Sequence, residues 1–397
     1  MAQAKTQLQA DPVALAVELR PLLERNSVRV ERDRRLPTEN VEALRAANLF
    51  KVMTPSRWGG YGTTLSTTLK TFAEVAKGCP STGWVTMIIA GINWWASLLP
   101  DRGQEEIFAN SADPRVCGAT GYPTVVGRRT DGGLRITGKF PFASGCWHST
   151  WSRLGVQIED DVHNVVGQVV GFVPISELEI EDTWFVAGMC GTGSNTLVAK
   201  DILVPDHRIL PTTKILSGDH PARRHSGEPS DKYAFSAANS LIGIAPVLGI
   251  AHAMLEKVIE GTRKRVITFT TYARQADSAV AQHEIAEAAL QIDSAWLQVM
   301  HAAAQVENIA AEGKSMDYVA RARVRGVVGY AAKLIREAID SLASIGGASG
   351  FADASPLQRM WRDASIATRH GLVTTDPGLE IYGRALVGPE GNISPFI

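Results

Sequence analysis

The spacing of apolar residues changes twice along this chain, and that change constrains the fold more than any other feature. Residues 12–23 repeat at helical spacing, with Val13, Leu15, Ala16, Leu19, Leu22 and Leu23 in phase. Pro37 opens a further helix that runs to Asn48-Leu49-Phe50. Helices are predicted over 65–77 and 81–99, the latter preceded by Pro80. From about 114 to 212 the pattern shortens to β-rich runs at 116–119, 134–138, 150–157, 167–174 and 197–204. Gly and Asp turns such as Asp131-Gly132-Gly133 separate them. Long helical patterns then return. Over 284–311, Ile285, Ala289, Ile292, Trp296, Val299, Ala303, Val306 and Ala310 step by four and three, as in a bundle packed at a shallow angle. Residues 317–345 read as another long helix, stopped by Gly346-Gly347. The chain is predicted to be mostly α with an inserted β domain: helical over 1–113, β over 114–212 and helical over 213–397. Residues 213–231 are expected to be an exposed linker or mobile loop.

Composition removes several function classes. A net charge of -1 creates no field that favours nucleic acid or an anionic membrane. Cys79, Cys117, Cys146 and Cys190 lie far apart with no C-x-x-C spacing, which argues against a zinc site or a disulfide framework and fits a reducing cytoplasm. The polar stretch 1–11 lacks the apolar centre of a signal peptide, and no uncharged apolar run is expected to span a membrane. No metal is expected.

Chemistry-bearing residues cluster in four places. The first is Lys139-Phe140-Pro141-Phe142-Ala143-Ser144-Gly145-Cys146-Trp147-His148-Ser149-Thr150-Trp151, which alternates aromatics with Ser, Gly and His. A flat aromatic ligand uses such a mixture, whereas an ordinary turn and core strand use it less economically; taken alone, Ser144 reads first as a turn serine and the aromatics as core. The second is Met189-Cys190-Gly191-Thr192-Gly193-Ser194-Asn195-Thr196, followed by Val204-Pro205-Asp206-His207-Arg208. Glycines admit close backbone approach and the hydroxyls offer donors, but no strand-then-helix Rossmann pattern surrounds them. The third is Gly346-Gly347-Ala348-Ser349-Gly350-Phe351, together with Arg263 as a phosphate partner or a solvated charge. The fourth is Trp361-Arg362-Asp363 with His370 seven residues past the aspartate. A lone helical histidine is usually structural.

The order helical, β, helix bundle, together with these segments, resembles the two-component flavin-dependent monooxygenases built on the acyl-CoA dehydrogenase fold, among them aromatic and indole hydroxylases. The resemblance covers nearly the whole chain. It implies an N-terminal helical domain, a central β-barrel or sandwich and a C-terminal four-helix bundle. It implies reduced flavin (FADH2 or FMNH2) and O2 as cosubstrates, reacting through a C4a-hydroperoxyflavin, a separate flavin reductase, and a homotetramer or dimer, with neither nucleic acid nor membrane as partner. By the same resemblance His370, Ser144 and Asn93 are the catalytic candidates. Phe142, Ser144, Trp84, Thr192, Gly193, Ser194, Arg263, Gly346 and Gly347 become candidates for holding the cofactor. Trp84, Asn93, Trp94, Trp147 and His370 become candidates for the substrate pocket, with Trp95 beside them. Asn93 stands where many phenol hydroxylases of this group carry a histidine, which points to a larger or less acidic aromatic such as an indole. The chief alternative is an acyl-CoA dehydrogenase, whose glutamate base is matched here by Gly383 in Ile381-Tyr382-Gly383-Arg384, with Glu380 offset by three positions. Flavin-dependent N-oxygenation of an amine is a further alternative. A non-enzymatic helical scaffold is disfavoured by the Gly-rich, polar turns.

Overall fold

The computed structural model describes residues 10–109, 113–121, 123–160, 162, 164–225, 227–388, 393–394 and 396–397. The N-terminal stretch holds α1 (Pro12–Asp33), α2 (Thr38–Ala46), α3 (Leu65–Gly78), α4 (Pro80–Ala96) and α5 (Asp101–Gln104). Their starts follow local chemistry. Asp11 caps α1 by accepting from Val13 N, Thr64 caps α3 by accepting from Thr67 N, and prolines open α1 and α4.

Eight strands follow: β1 (Val116–Thr120), β2 (Val126–Thr130), β3 (Gly133–Ala143), β4 (Trp151–Glu159), β5 (Val165–Pro174), β6 (Glu179–Glu181), β7 (Asn195–Pro205) and β8 (Ile209–Pro211). They form one sheet in the order β6-β7-β3-β2-β4-β5-β8, with β1 joined parallel to β4. A Cβ placed on Gly171 of β5 would lie 3.2 Å from Val204 Cγ1 of β7, although these strands are not neighbours in the sheet. The sheet therefore folds over its own core, which is built from Leu134, Ile136, Phe140, Leu154, Val156 and Leu197.

The chain ends in α6 (Thr212–Ser217), α7 (Phe235–Thr262), α8 (Ala279–Ala311), α9 (Tyr318–Gly346), α10 (Pro356–Ala367) and α11 (Thr375–Val387). α7, α8, α9 and α11 pack on one another, and α3 and α4 join them through α7. The buried stripe of α8 is rotated from the predicted one. Ala281, Ala288, Ala295 and Ala302 repeat every seven residues beside Ile292, Val299 and Val306, while Ile285 and Trp296 are half-buried.

Two expectations are corrected here. α7 is long and apolar enough to cross a membrane by length and composition, because its first six turns carry no charge. Most of that stretch is buried against the protein, so α7 is the central core helix. Residues 213–231 are also only partly exposed. Asp231, Glu228, Ser230 and His220 are buried. Arg57 Nη1 donates to Asp231 at 2.6 Å, Ser56 Oγ to Glu228 at 2.6 Å, and Trp94 Nε1 to the Ser230 carbonyl at 3.1 Å. Part of the polar composition here therefore reflects buried pairs with the 55–62 loop, while residues such as Lys214, Asp219, Arg223 and Arg224 face solvent.

Candidate active site

β3 and β7 are antiparallel neighbours, with Ala143 opposite Asn195, so the turn after β3 and the turn before β7 lie side by side. That pairing brings Ser144 to Ser194 across fifty positions of sequence. Their hydroxyl oxygens are 2.7 Å apart, Ser194 Oγ is 2.7 Å from Thr192 Oγ1, and Thr192 donates to the Met189 carbonyl at 2.8 Å. Gly145 N donates to the Thr192 carbonyl at 2.8 Å, which laces the two turns together. Gly193, at φ +51, leaves room for Trp147: a Cβ there would sit 3.1 Å from Trp147 Cδ1.

The same edge is aromatic and open. Phe142 is 68% exposed at φ 62, a conformation that large side chains avoid. Its ring meets Trp184 edge-on at 5.9 Å. Phe185 and Trp147 are also exposed, under the guanidinium groups of Arg34 (4.0 Å) and Arg35 (5.5 Å) respectively. Trp184, Phe185, Arg34 and Arg35 were not legible as site residues: neither periodicity nor a motif marks them.

α4 joins this edge to the helical side. Gly145 approaches it so closely that a Cβ would lie 2.9 Å from Val85 Cγ1. Trp84, one residue earlier on α4, meets the His370 ring edge-on at 5.4 Å. His370 follows the C-terminus of α10. His370 is exposed, although the protein around it is dense enough to desolvate the imidazole. Burial, aided by the Arg325 guanidinium, pushes its pKa down to about 4, and the imidazole is neutral at pH 7. Leu372 N donates to His370 Nδ1 at 3.3 Å, so the neutral ring carries its proton on Nε2. Arg325, buried on α9, donates to the carbonyls of Leu372 and, at 3.3 Å, Gly371, and clamps the turn that bears His370. Arg336 adds a bond to Thr375 Oγ1 at 2.8 Å.

Asp363 and Arg362 link α10 to the β edge. The buried Asp363 carboxylate accepts from Met189 N, and Arg362 donates to the Ala187 carbonyl and to Glu31 at 2.6 Å. The Asp363 carboxyl is pushed up to about 7, chiefly by burial. Ser144, Thr192, Gly193 and Ser194 thus lie on the β edge beside α4, with Phe142 and Trp147 on its open side, and Trp84 of α4 meets His370.

Other candidates go elsewhere. Asn93 is fully buried; its amide donates to the Phe50 carbonyl at 2.9 Å and the Pro114 carbonyl at 3.0 Å, and its Oδ1 accepts from Val116 N. It staples α4 to β1 and has no donor left for a substrate. Trp94 is core, stacked on Phe235 at 5.2 Å, and Trp95 meets the same ring edge-on. Distance along the helix explains both: they lie about three turns, or about 15 Å, along α4 from Trp84. Gly346 packs on Leu357 at the start of α10, about 18 Å of helix from its His370 end. Arg265, not Arg263, reaches the Gly346 carbonyl, at 2.6 Å; Arg263 is exposed at the end of α7. Gly347, at φ +59, completes that turn away from Ser144 and His370.

Sequence and structure comparisons show the family of the chain. Residues 241–375 match the family of the acyl-CoA dehydrogenase C-terminal domain. The oxygenase subunit HsaA of a flavin-dependent monooxygenase from Rhodococcus jostii (strain RHA1) is 31% identical over 374 residues, covering 93% of this chain and 96% of its own. HsaA from Mycobacterium tuberculosis is 32% identical over 394 residues, covering 97% and 98%. This chain belongs to the flavin-dependent monooxygenase oxygenase subunits. XiaF from a Streptomyces species, solved in complex with FADH2 and glycerol, superposes on this oxygenase with a TM-score of 0.92 at 32% identity, covering 98% of each chain. The flavin fits the oxygenase's own residues. Phe142, Trp147 and Phe185 are exposed rings on the turns around Ser144, and exposed aromatic faces of this kind accommodate a flat ring.

Proposed function

We propose that this oxygenase takes reduced flavin, FADH2 or FMNH2, from a separate reductase and hydroxylates an aromatic substrate. One oxygen atom of O2 enters the ring, the other leaves as water, and the bound reduced flavin supplies the two electrons. Phe142 and Trp147 form one wall for the flavin ring, with Ser144 at its N5 edge. Trp84 and His370 form the facing substrate wall, and the buried apolar stretch of α4 keeps water out. The observation that carries this reading is His370. Held neutral, with Nδ1 occupied by Leu372 N, it offers an Nε2–H to an oxygen atom in the cleft.

Two features weigh against acyl-CoA dehydrogenation. Gly383 carries no carboxylate in mid-α11, and Glu380 is an exposed partner of Arg384 at 3.7 Å. The removal of Asn93, Trp94 and Trp95 from the cleft takes away the residues that pointed to an indole rather than a phenol. Both classes therefore enter the test. Full-length protein with a generic flavin reductase, NADH and 18O2 is given phenols and indoles, and products are weighed by mass spectrometry. One 18O atom in a ring hydroxyl supports the reading. Stoichiometric hydrogen peroxide with no labelled product from any aromatic overturns it.

Assembly into a tetramer or dimer through the C-terminal helices belongs to the same proposal. It is supported by an uncovered groove of about 630 Å³ between α8 and α9, lined by Leu290, Tyr330 and Leu334. In such an assembly the Arg263 and Gly346-Gly347 end serves the tail of a neighbour's flavin. Operation in the cytoplasm, and a division of labour among 1–113, 114–212 and 213–397, complete the proposal.

A further inference from the structure

Ser144, Ser194 and Thr192 form a chain of hydroxyls whose protons run in one direction only. The chain ends on the Met189 carbonyl, 2.8 Å from Thr192 Oγ1. A carbonyl has no proton to give, so Thr192 donates and its own oxygen is left to accept. Ser194, 2.7 Å away, therefore donates to Thr192, and Ser144, 2.7 Å further on, donates to Ser194. Each hydroxyl has one proton, and all three are spent inside the protein.

The end of the chain is firmly held. Met189 sits at φ 55, in the left-handed region that side chains rarely adopt. Its N–H is bonded to Asp363. Its carbonyl accepts, besides Thr192 Oγ1, the Trp184 indole N–H at 3.0 Å and Thr192 N at 3.1 Å. Helix α10 and the aromatic turn thus fix the carbonyl that sets the direction.

Ser144 consequently offers the cleft lone pairs and no proton. We infer that Thr192 and Ser194 are positioning residues that make Ser144 an obligate acceptor, and that this makes the site select reduced over oxidised flavin. The inference rests on the reading of Ser144 at the N5 edge. That nitrogen carries an N–H in the reduced ring and a bare lone pair in the oxidised ring. An acceptor facing it bonds to the first and opposes the second. Thr192 and Ser194 then act behind Ser144 and need not touch the flavin themselves.

The test measures dissociation constants of the full-length protein for photoreduced flavin, without oxygen, and for oxidised flavin, using FAD and FMN. Thr192→Val keeps the shape and removes the end donor. Ser194 then reverses and donates to Ser144, whose proton turns to the cleft. The ratio of oxidised to reduced dissociation constants is expected to fall about tenfold, the order of one exchanged hydrogen bond. The midpoint potential of bound flavin falls with it by about 30 mV. Thr192→Ser restores the ratio. Ser194→Ala, which breaks the same chain one link on, lowers it and carries the test if Thr192→Val does not fold. An unchanged ratio in both chain variants, with Ser144→Ala altering flavin affinity, overturns the inference and leaves Ser144 at the flavin. Unchanged affinities for both redox states in Ser144→Ala overturn the placement of Ser144, and the inference with it.

Discussion

His370 and Asn93 are both polar candidates in the sequence, and their surroundings separate them completely. Asn93 spends its amide on three backbone groups, while His370 keeps Nε2 for the cleft. Replacing His370 with Ala is expected to lower product formation by about 10²- to 10⁴-fold, the range of a lost proton donor. The dissociation constant for reduced flavin should barely move. Equal losses in both measurements would mean a structural histidine. With its pKa near 4, His370 stays neutral throughout pH 6–8. A pH–rate profile should therefore show no limb near 6.5 that disappears in the variant. The motif of Arg362, Asp363 and His370 was legible as a string, but the role of Asp363 was not. Its partner, Met189 N, lies 174 positions away.

At the scale of elements, α10 and the turn after it are held by charge in an apolar setting. Arg325 has no carboxylate partner among the described residues and is spent on carbonyls and Ser240 Oγ. Arg325→Gln is expected to destabilise the protein by about 2–3 kcal/mol, because charged hydrogen bonds from a buried guanidinium are lost. Thermal unfolding and hydrogen exchange at 371–373 would measure it; exchange unchanged there would count against the clamp. Asp363 makes a second prediction at this scale. Its carboxyl is raised in the folded state to about 7, above the ordinary value of 3.8. Its contribution to stability is therefore full below pH 3.8 and is lost as pH rises through 7. Asp363→Asn keeps an acceptor for Met189 N without that ionisation. Relative to the parent, its melting temperature should rise between pH 5 and pH 8, and a constant difference would show that Arg359 and Arg362 keep Asp363 charged.

Besides the aromatic edge, the molecule leaves apolar side chains of α8 uncovered. Leu290 and Leu297 on α8 are each 67% exposed, and Tyr330 on α9 borders the same groove. Water contact with such a face is costly, and a second copy of the chain removes it. The double variant Leu290→Glu, Leu297→Glu is expected to sediment as a smaller species than the parent. Identical sedimentation would place any interface elsewhere. The apolar stretch of α7 shows the opposite case at this scale: it is covered by the protein's own helices.

What the sequence alone determined is the succession of elements, because helical and strand periods, proline starts and side-chain caps are local. Residues Asp11, Thr64 and Asp317 act on donors two or three positions away, so a one-dimensional reading suffices. The burial of His220, Glu228, Ser230 and Asp231, the dismissal of Asn93 and Trp94 from the candidate site, and the hydroxyl chain from Met189 to Ser144 were decided by the tertiary structure. Each depends on partners brought together across the chain by sheet pairing or helix packing. Whether a polar group is satisfied, and in which direction it donates, depends on those partners and not on its sequence neighbours.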